Sequence, residues 1–218
     1  MDVPCTDINR KMRQMNKDIF KLPNILSLLR IIMALVLYML YLKDFQQPDF
    51  MGPLPLFLIY VAIAFTDFID GIIARKYNLI TELGKELDPM ADKVLVFLML
   101  FAFFRIGLLP WWVILPVFAR DIFVNQLRKR SKQYEISFKT SKVAKAKTAL
   151  QMLFIGFVLA IPVLMSWDLP MGLYELLDKM VNSNTILIIM CIIMLFTVYT
   201  GLDYYVGYRK EMNKSTDK

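Results

Sequence analysis

Six blocks of apolar residues, each close to the length that crosses a hydrocarbon layer as a helix, dominate this 218-residue chain. They run approximately over 25–42, 53–73, 89–108, 110–127, 148–166 and 185–207, with short polar or charged segments between them. A bilayer core about 30 Å thick takes about 20 residues at 1.5 Å each. Apolar residues make up 57% of the chain, well above the share a water-soluble domain carries. Spanning strands would show alternating apolar and polar residues, which are missing, and an open lipid-exposed strand would leave its backbone groups unpaired. The expected fold is therefore an all-α membrane protein of six transmembrane helices.

The basic residues give this bundle a direction. Five Lys and Arg lie before Asn24, three in 75–86, eight in 128–147 and four after Tyr208, twenty in all. The loops on the other side hold Lys43, Arg105 and Lys179. By the positive-inside rule both termini face the cytoplasm, which requires an even number of spans. The first 21 residues are too polar for a cleaved signal peptide and read as retained. Within them Ile8, Met12, Met15 and Ile19 form one apolar helical face ringed by Arg10, Lys11, Arg13 and Lys17, the pattern of an amphipathic helix lying on the membrane surface; a disordered basic tail is the alternative. Pro23 and Asn24 mark the turn into the first span, and Pro110 and Pro116 the start of the fourth, where a bend is expected. Gly172–Met180 reads as a short amphipathic helix on the outer side. The chain thus divides into an amphipathic segment 1–22, a six-helix domain 23–208 and a basic tail 209–218.

Composition also excludes chemistry. The net charge of +7 borders the membrane segments and meets anionic headgroups there, so it calls for no nucleic-acid partner. Cys5 and Cys191 are too far apart in the chain to read as a disulfide. The chain contains no histidine, which rules out Ser-His-Asp triads, histidine metal sites and phospholipase-D-like chemistry. Catalysis must rest on carboxylates, Lys or Arg.

The carboxylates are where a membrane protein can least tolerate them. Asp67 and Asp70 fall at or inside the second block, Asp88 and Asp92 at the start of the third. At roughly 3 kcal/mol for each charge at a span centre, four uncompensated acids cost about 12 kcal/mol. Asp67, Asp70, Gly71 and Ala74 fall at i, i+3, i+4 and i+7 of one helix face, and Gly84, Asp88 and Asp92 repeat at i+4. Two acidic faces joined by the short loop 76–83 repel unless cations lie between them, and oxygen-only ligands suit two divalent ions such as magnesium or manganese. Such a pair can grip a diphosphate and sharpen an attacking hydroxyl. Gly71, Ala74 and Gly84 leave room for a nucleotide, and Arg75 is placed to meet a phosphate. Other readings compete: Asp88-Pro89 has the form of an N-cap followed by a first-turn proline, and acids inside membranes also line ion or proton pathways.

The run from Asp67 to Asp92 fits D-x2-D-G-x2-A-R-x8-G-x3-D-x3-D at all eight fixed positions, and it resembles the defining motif of the CDP-alcohol phosphatidyltransferase family. The motif covers 26 residues, and the six-span layout extends the likeness over most of the chain. The resemblance implies that Asp67, Asp70, Asp88 and Asp92 bind two divalent metals around the diphosphate of a CDP-linked lipid, with Asp92 also the general base. Gly71, Ala74, Arg75 and Gly84, together with Asn24, would line the nucleotide. It further implies attack of an alcohol hydroxyl on the lipid-bearing phosphorus with loss of CMP, and a homodimer.

The acceptor is read from other segments. Leu22-Pro23-Asn24-Ile25-Leu26-Ser27-Leu28-Leu29-Arg30, Ala119-Arg120-Asp121 with Leu127-Arg128, and Lys145-Ala146-Lys147-Thr148 with Gln151-Met152 are similar to the branch of that family that uses sn-glycerol 3-phosphate and CDP-diacylglycerol. A dianionic acceptor calls for a cationic pocket, for which Arg120, Arg128, Lys145 and Lys147 are the candidates. Interfacial anchoring is the plainer role for Arg128, Lys145 and Lys147. Asp121 departs from the branch, which commonly has Glu there. The same chemistry on phosphatidylglycerol, inositol, inositol phosphate, serine or choline is the alternative, and a carboxylate-lined cation transporter is the reading from another class.

Overall fold

The computed structural model describes residues 22–47, 51–76, 82–133, 142–167 and 170–216, with side chains described over most of these but not at 22–27, 67–92, 129, 132–133, 142–145, 211 or 213–216. Among the described residues the protein is wholly helical: α1 (Leu22–Gln46), α2 (Pro53–Lys76), α3 (Glu82–Arg105), α4 (Trp111–Gln133), α5 (Lys142–Met165), α6 (Met171–Asn182) and α7 (Thr185–Thr216). Each of the six apolar blocks falls largely or wholly within one long helix, and the short helix expected at 172–180 is α6. The surface helix expected over residues 8–19 lies outside the described residues. Ala146–Met165 and Thr185–Lys210 are long and apolar enough to cross a membrane, and Pro53–Thr66 is a shorter apolar helix.

One expectation gives way. Asp88 is no N-cap, because α3 begins six residues earlier at Glu82 and carries Asp88 in its second turn. Pro116 lies inside α4 and Pro162 inside α5, whereas Pro110 precedes α4.

The chain forms two compact units, 1–99 and 100–218. In the first, α1 packs against α2. Arg30, Ala34 and Leu37 on α1 and Leu56, Tyr60 and Ile63 on α2 are buried at i, i+4, i+7 spacing. The turn that joins them is held by Asp44, whose Oδ1 accepts the backbone N–H groups of Met51 at 3.0 Å and Gly52 at 2.9 Å. Gly52 has φ +79°, a conformation that favours glycine. Asp44→Ala strips both donors of their acceptor, and we expect a loss of about 1 kcal/mol, read as a lower thermal midpoint in detergent.

In the second unit α7 packs against α4, α5 and α6, and α5 against α6. The buried stripe of α4 runs Val113, Val117, Arg120, Val124, Leu127, Ser131; that of α7 runs Ile186, Met190, Ile193, Thr197, Thr200, Tyr204. Both repeat in steps of three and four, the signature of one inward helix face. α5 buries Lys147, Gln151, Phe154, Ile155 and Val158 on the same principle. The opposite faces carry exposed Leu115, Ile122 and Phe123 on α4, Leu150, Leu153 and Phe157 on α5, and Ile188, Ile192, Leu195 and Leu202 on α7. Contiguous apolar surface of this kind is unfavourable in water and matches lipid chains.

A tight turn leads into α4. Gly107, with φ +80°, lets the N–H of Leu108 reach the Phe103 carbonyl at 2.9 Å while its own N–H bonds the Phe104 carbonyl at 3.0 Å. This glycine-closed helix end satisfies carbonyls that would otherwise be stranded.

Candidate functional site

Buried polar side chains from α4, α5 and α7 gather in one cluster. Arg120 follows Val117 on α4, Lys147 and Gln151 precede Phe154 on α5, and Thr197 and Thr200 follow Ile193 on α7; all five are buried. Polar groups at such positions must find partners inside the protein.

Asp121 is the hub. Its Oδ1 accepts from Arg120 Nη1 at 3.1 Å and from Lys147 Nζ, so one carboxylate sits against two cations from different helices. Arg120 reaches α7 as well: Nη2 donates to Thr200 Oγ1 at 3.0 Å, and Thr200 donates its hydroxyl proton to the Thr197 carbonyl at 2.7 Å. Gln151 Nε2 approaches Thr197 Oγ1 at 3.4 Å, tying α5 to the same turn of α7. Arg120 Nε is buried without a hydrogen-bond partner. It faces Gly201, where a built Cβ would lie only 3.3 Å away and where no side chain exists to accept a bond. A buried donor left so costs about 1–3 kcal/mol, which the bonds of the two Nη atoms to Asp121 and Thr200 offset.

Arg128 stands apart from this cluster. It is exposed two turns further along α4, its guanidinium carbon 5.6 Å from the centre of the Tyr204 ring. Beneath it Val124, Leu127 and Tyr204 form a small core with Tyr208 packed against it. Of the four cations expected at an acceptor phosphate, the structure thus joins Arg120 and Lys147 through Asp121 and sets Arg128 on an aromatic ring. Lys145 lies on α5, with its side chain outside the described residues.

The motif residues divide between two helices. Asp67, Asp70, Gly71, Ala74 and Arg75 are on α2, Gly84, Asp88 and Asp92 on α3, and Asn24 on α1. Their side chains lie outside the described residues, as does the link 77–81. Because both segments are helical, the i, i+3 spacing of Asp67 and Asp70 and the i, i+4 spacing of Asp88 and Asp92 assign each pair to one helix face.

Thr197, Thr200, Gly201 and Tyr204 were invisible as site residues in the sequence. A signal existed: they continue the Ile186, Met190, Ile193 stripe at helical spacing but turn it polar, in a span that is otherwise apolar.

Comparison with known proteins bears on most of the chain. A family model described as CDP-alcohol phosphatidyltransferase matches residues 20–199. A protein of Rickettsia bellii named CDP-diacylglycerol–glycerol-3-phosphate 3-phosphatidyltransferase is 35% identical over 192 residues, which cover 87% of this chain and 96% of the relative. Its namesake from Rickettsia typhi is 34% identical over 187 residues, 84% of this chain and 94% of that one. The Escherichia coli protein of that name is 34% identical over 145 residues, 64% of this chain and 77% of its own. The eight-position motif, the apolar outer faces of the helices and a family match that runs from α1 into α7 lead to one conclusion: this protein is a membrane-embedded transferase of the CDP-alcohol phosphatidyltransferase family.

Proposed function

We propose that the protein transfers the phosphatidyl group of CDP-diacylglycerol to sn-glycerol 3-phosphate, giving phosphatidylglycerophosphate and CMP. The observation that carries the choice of acceptor is the buried pair Arg120 and Lys147 on a single carboxylate. Ionised groups inside a membrane protein are costly and mark substrate sites, and two cations in reach of one another suit a dianionic phosphate better than a neutral alcohol. The names carried by the relatives point to the same acceptor.

On this reading the donor is held by the motif. Asp67, Asp70, Asp88 and Asp92 would bind two divalent cations, magnesium or manganese; the all-oxygen donor set and its i, i+3 and i, i+4 placement on α2 and α3 fit hard ions. Such ions, when bound, neutralise charge on the diphosphate. Gly71, Ala74 and Gly84 admit the cytidine nucleotide, with Arg75 and Asn24 beside its phosphates. Asp92 takes the proton of the acceptor hydroxyl, whose oxygen forms a bond to the phosphorus bearing diacylglycerol while the bond from that phosphorus to CMP breaks. Phosphoryl chemistry of this type needs mainly positioning and charge neutralisation, which carboxylates and cations provide without histidine.

The surrounding architecture follows the same proposal. Six spans in a single domain 23–208, an N-terminal helix on the membrane surface and twenty basic residues on one side orient both termini and the site toward the cytoplasm of the cell membrane. The working form is a homodimer. The test is CMP release by purified protein in detergent with CDP-diacylglycerol and magnesium, comparing glycerol 3-phosphate with glycerol, inositol, serine, choline and phosphatidylglycerol. Release that depends on glycerol 3-phosphate is expected; release with another alcohol alone moves the protein to a sister branch.

A further inference from the structure

The Arg120 side chain lies directly on the backbone of α7. A Cβ added at Gly201 would sit 2.7 Å from Arg120 Cγ, 3.3 Å from Nε and 3.6 Å from Cδ. The first of these is closer than carbon atoms approach, and Cγ is near the root of the side chain. It cannot swing aside without a change of χ1, which carries the whole guanidinium with it. Beyond this contact the head of Arg120 is fixed at both ends, Nη2 by Thr200 Oγ1 and Nη1 by Asp121 Oδ1. Thr200 spends its own proton on the Thr197 carbonyl, which leaves its lone pairs for the arginine. Arg120 is therefore held at three points, and the one nearest its root depends on a missing side chain.

We infer that Gly201 is a positioning residue for acceptor recognition. By presenting no side chain, it lets the stem of Arg120 lie on α7 and so sets where the guanidinium meets the phosphate monoester of the acceptor. Gly201 touches no substrate; it acts through Arg120. The inference rests on glycerol 3-phosphate as acceptor and adds to it a specificity determinant on α7, outside the family motif. A glycine kept only for helix packing would instead affect stability, or both substrates together.

The test uses the full chain in detergent with CDP-diacylglycerol and magnesium, as wild type, Gly201→Ala, Thr200→Val and, as a control on the exposed side of α7, Leu202→Ala. CMP release is followed against each substrate in turn, and the thermal shift produced by CDP-diacylglycerol reports donor binding. Gly201→Ala should raise KM for glycerol 3-phosphate by roughly 10- to 100-fold, the worth of one charge-assisted hydrogen bond. The kcat and the donor KM should stay within about three-fold of wild type, the pattern of lost acceptor binding rather than lost chemistry. Thr200→Val should give a smaller rise in the same KM, and Leu202→Ala none. A folded Gly201→Ala enzyme with an unchanged acceptor KM, or with both KM values raised alike, overturns the inference. Should Gly201→Ala show no cooperative thermal transition and so fail to fold, Thr200→Val decides, and an unchanged acceptor KM there overturns it as well. A wild-type enzyme that ignores glycerol 3-phosphate refutes the acceptor assignment instead, so the two failures are told apart by the wild-type arm.

Discussion

Asp92→Asn is expected to lower kcat for CMP release by about 10^3-fold or more while leaving the protein folded. The substitution keeps the shape of the side chain and removes its charge and basicity. On our proposal Asp92 does two things at once, binding a divalent cation with Asp67, Asp70 and Asp88 and taking the proton of the acceptor hydroxyl, so both contributions vanish together. Asp92 lies on α3 one turn beyond Asp88, a spacing that shares one helix face. The measurement is initial rate at saturating glycerol 3-phosphate over a magnesium titration, with the thermal midpoint as a check on folding. A variant that retains more than about a tenth of wild-type kcat would show that Asp92 is not the base, since general-base catalysis contributes at least about 10^2-fold. Activity recovered fully by more magnesium would assign Asp92 to metal binding alone.

The second large effect concerns stability. Asp121→Asn should destabilise the protein by about 3 kcal/mol, because it leaves Arg120 and Lys147 buried with their shared carboxylate gone. The side chains of all three are largely buried, 8% exposed for Arg120, 5% for Lys147 and 14% for Asp121, so solvent screens the loss poorly. For a chain of this size that corresponds to a midpoint about 6–12 °C lower. Asp121→Glu, which preserves the charge, should lose less. Combining Asp121→Asn with Lys147→Met removes one of the two buried cations and should restore part of the loss, as expected for neighbours that share a partner. If Asp121→Asn melts with wild type, the cluster is solvated in the working protein and the cations do not depend on Asp121.

Much of this protein was legible in the chain because the relevant information is local. Apolar blocks near 20 residues long dictate helices in any membrane, and each of the six coincides largely or wholly with one long helix of the structure. The acid motif is local too: Asp67 to Asp70 and Asp88 to Asp92 are separated by one helical turn, so sequence spacing alone assigns them to faces of α2 and α3. Local pattern misled at Asp88-Pro89, where the form of an N-cap stood for a helix that starts at Glu82. A cap signature carries no information about residues that precede it and continue the helix.

The basic residues show where local reading ends. Sequence offered Arg120, Arg128, Lys145 and Lys147 and left interfacial anchoring as the plainer role for the last three, yet burial and helix rotation draw Arg120 and Lys147 together on Asp121 and lay Arg128 on Tyr204. Lys147 and Asp121 are 26 residues apart in sequence, and Arg120 and Thr200 are 80 apart. No periodicity links such positions, because a helix repeats every 3.6 residues and says nothing of which neighbour its inner face will meet. Gly201 is the extreme case: as a sequence letter it is one glycine in an apolar span, and its role exists only where the Arg120 stem crosses α7. Hydrophobicity and helical spacing are written along the chain, and they suffice for the class of membrane protein, the helices and the acid motif. Which cations are buried, what binds them and which missing side chain makes room for them emerge only in the folded protein, since these follow from the packing of α4 and α5 against α7.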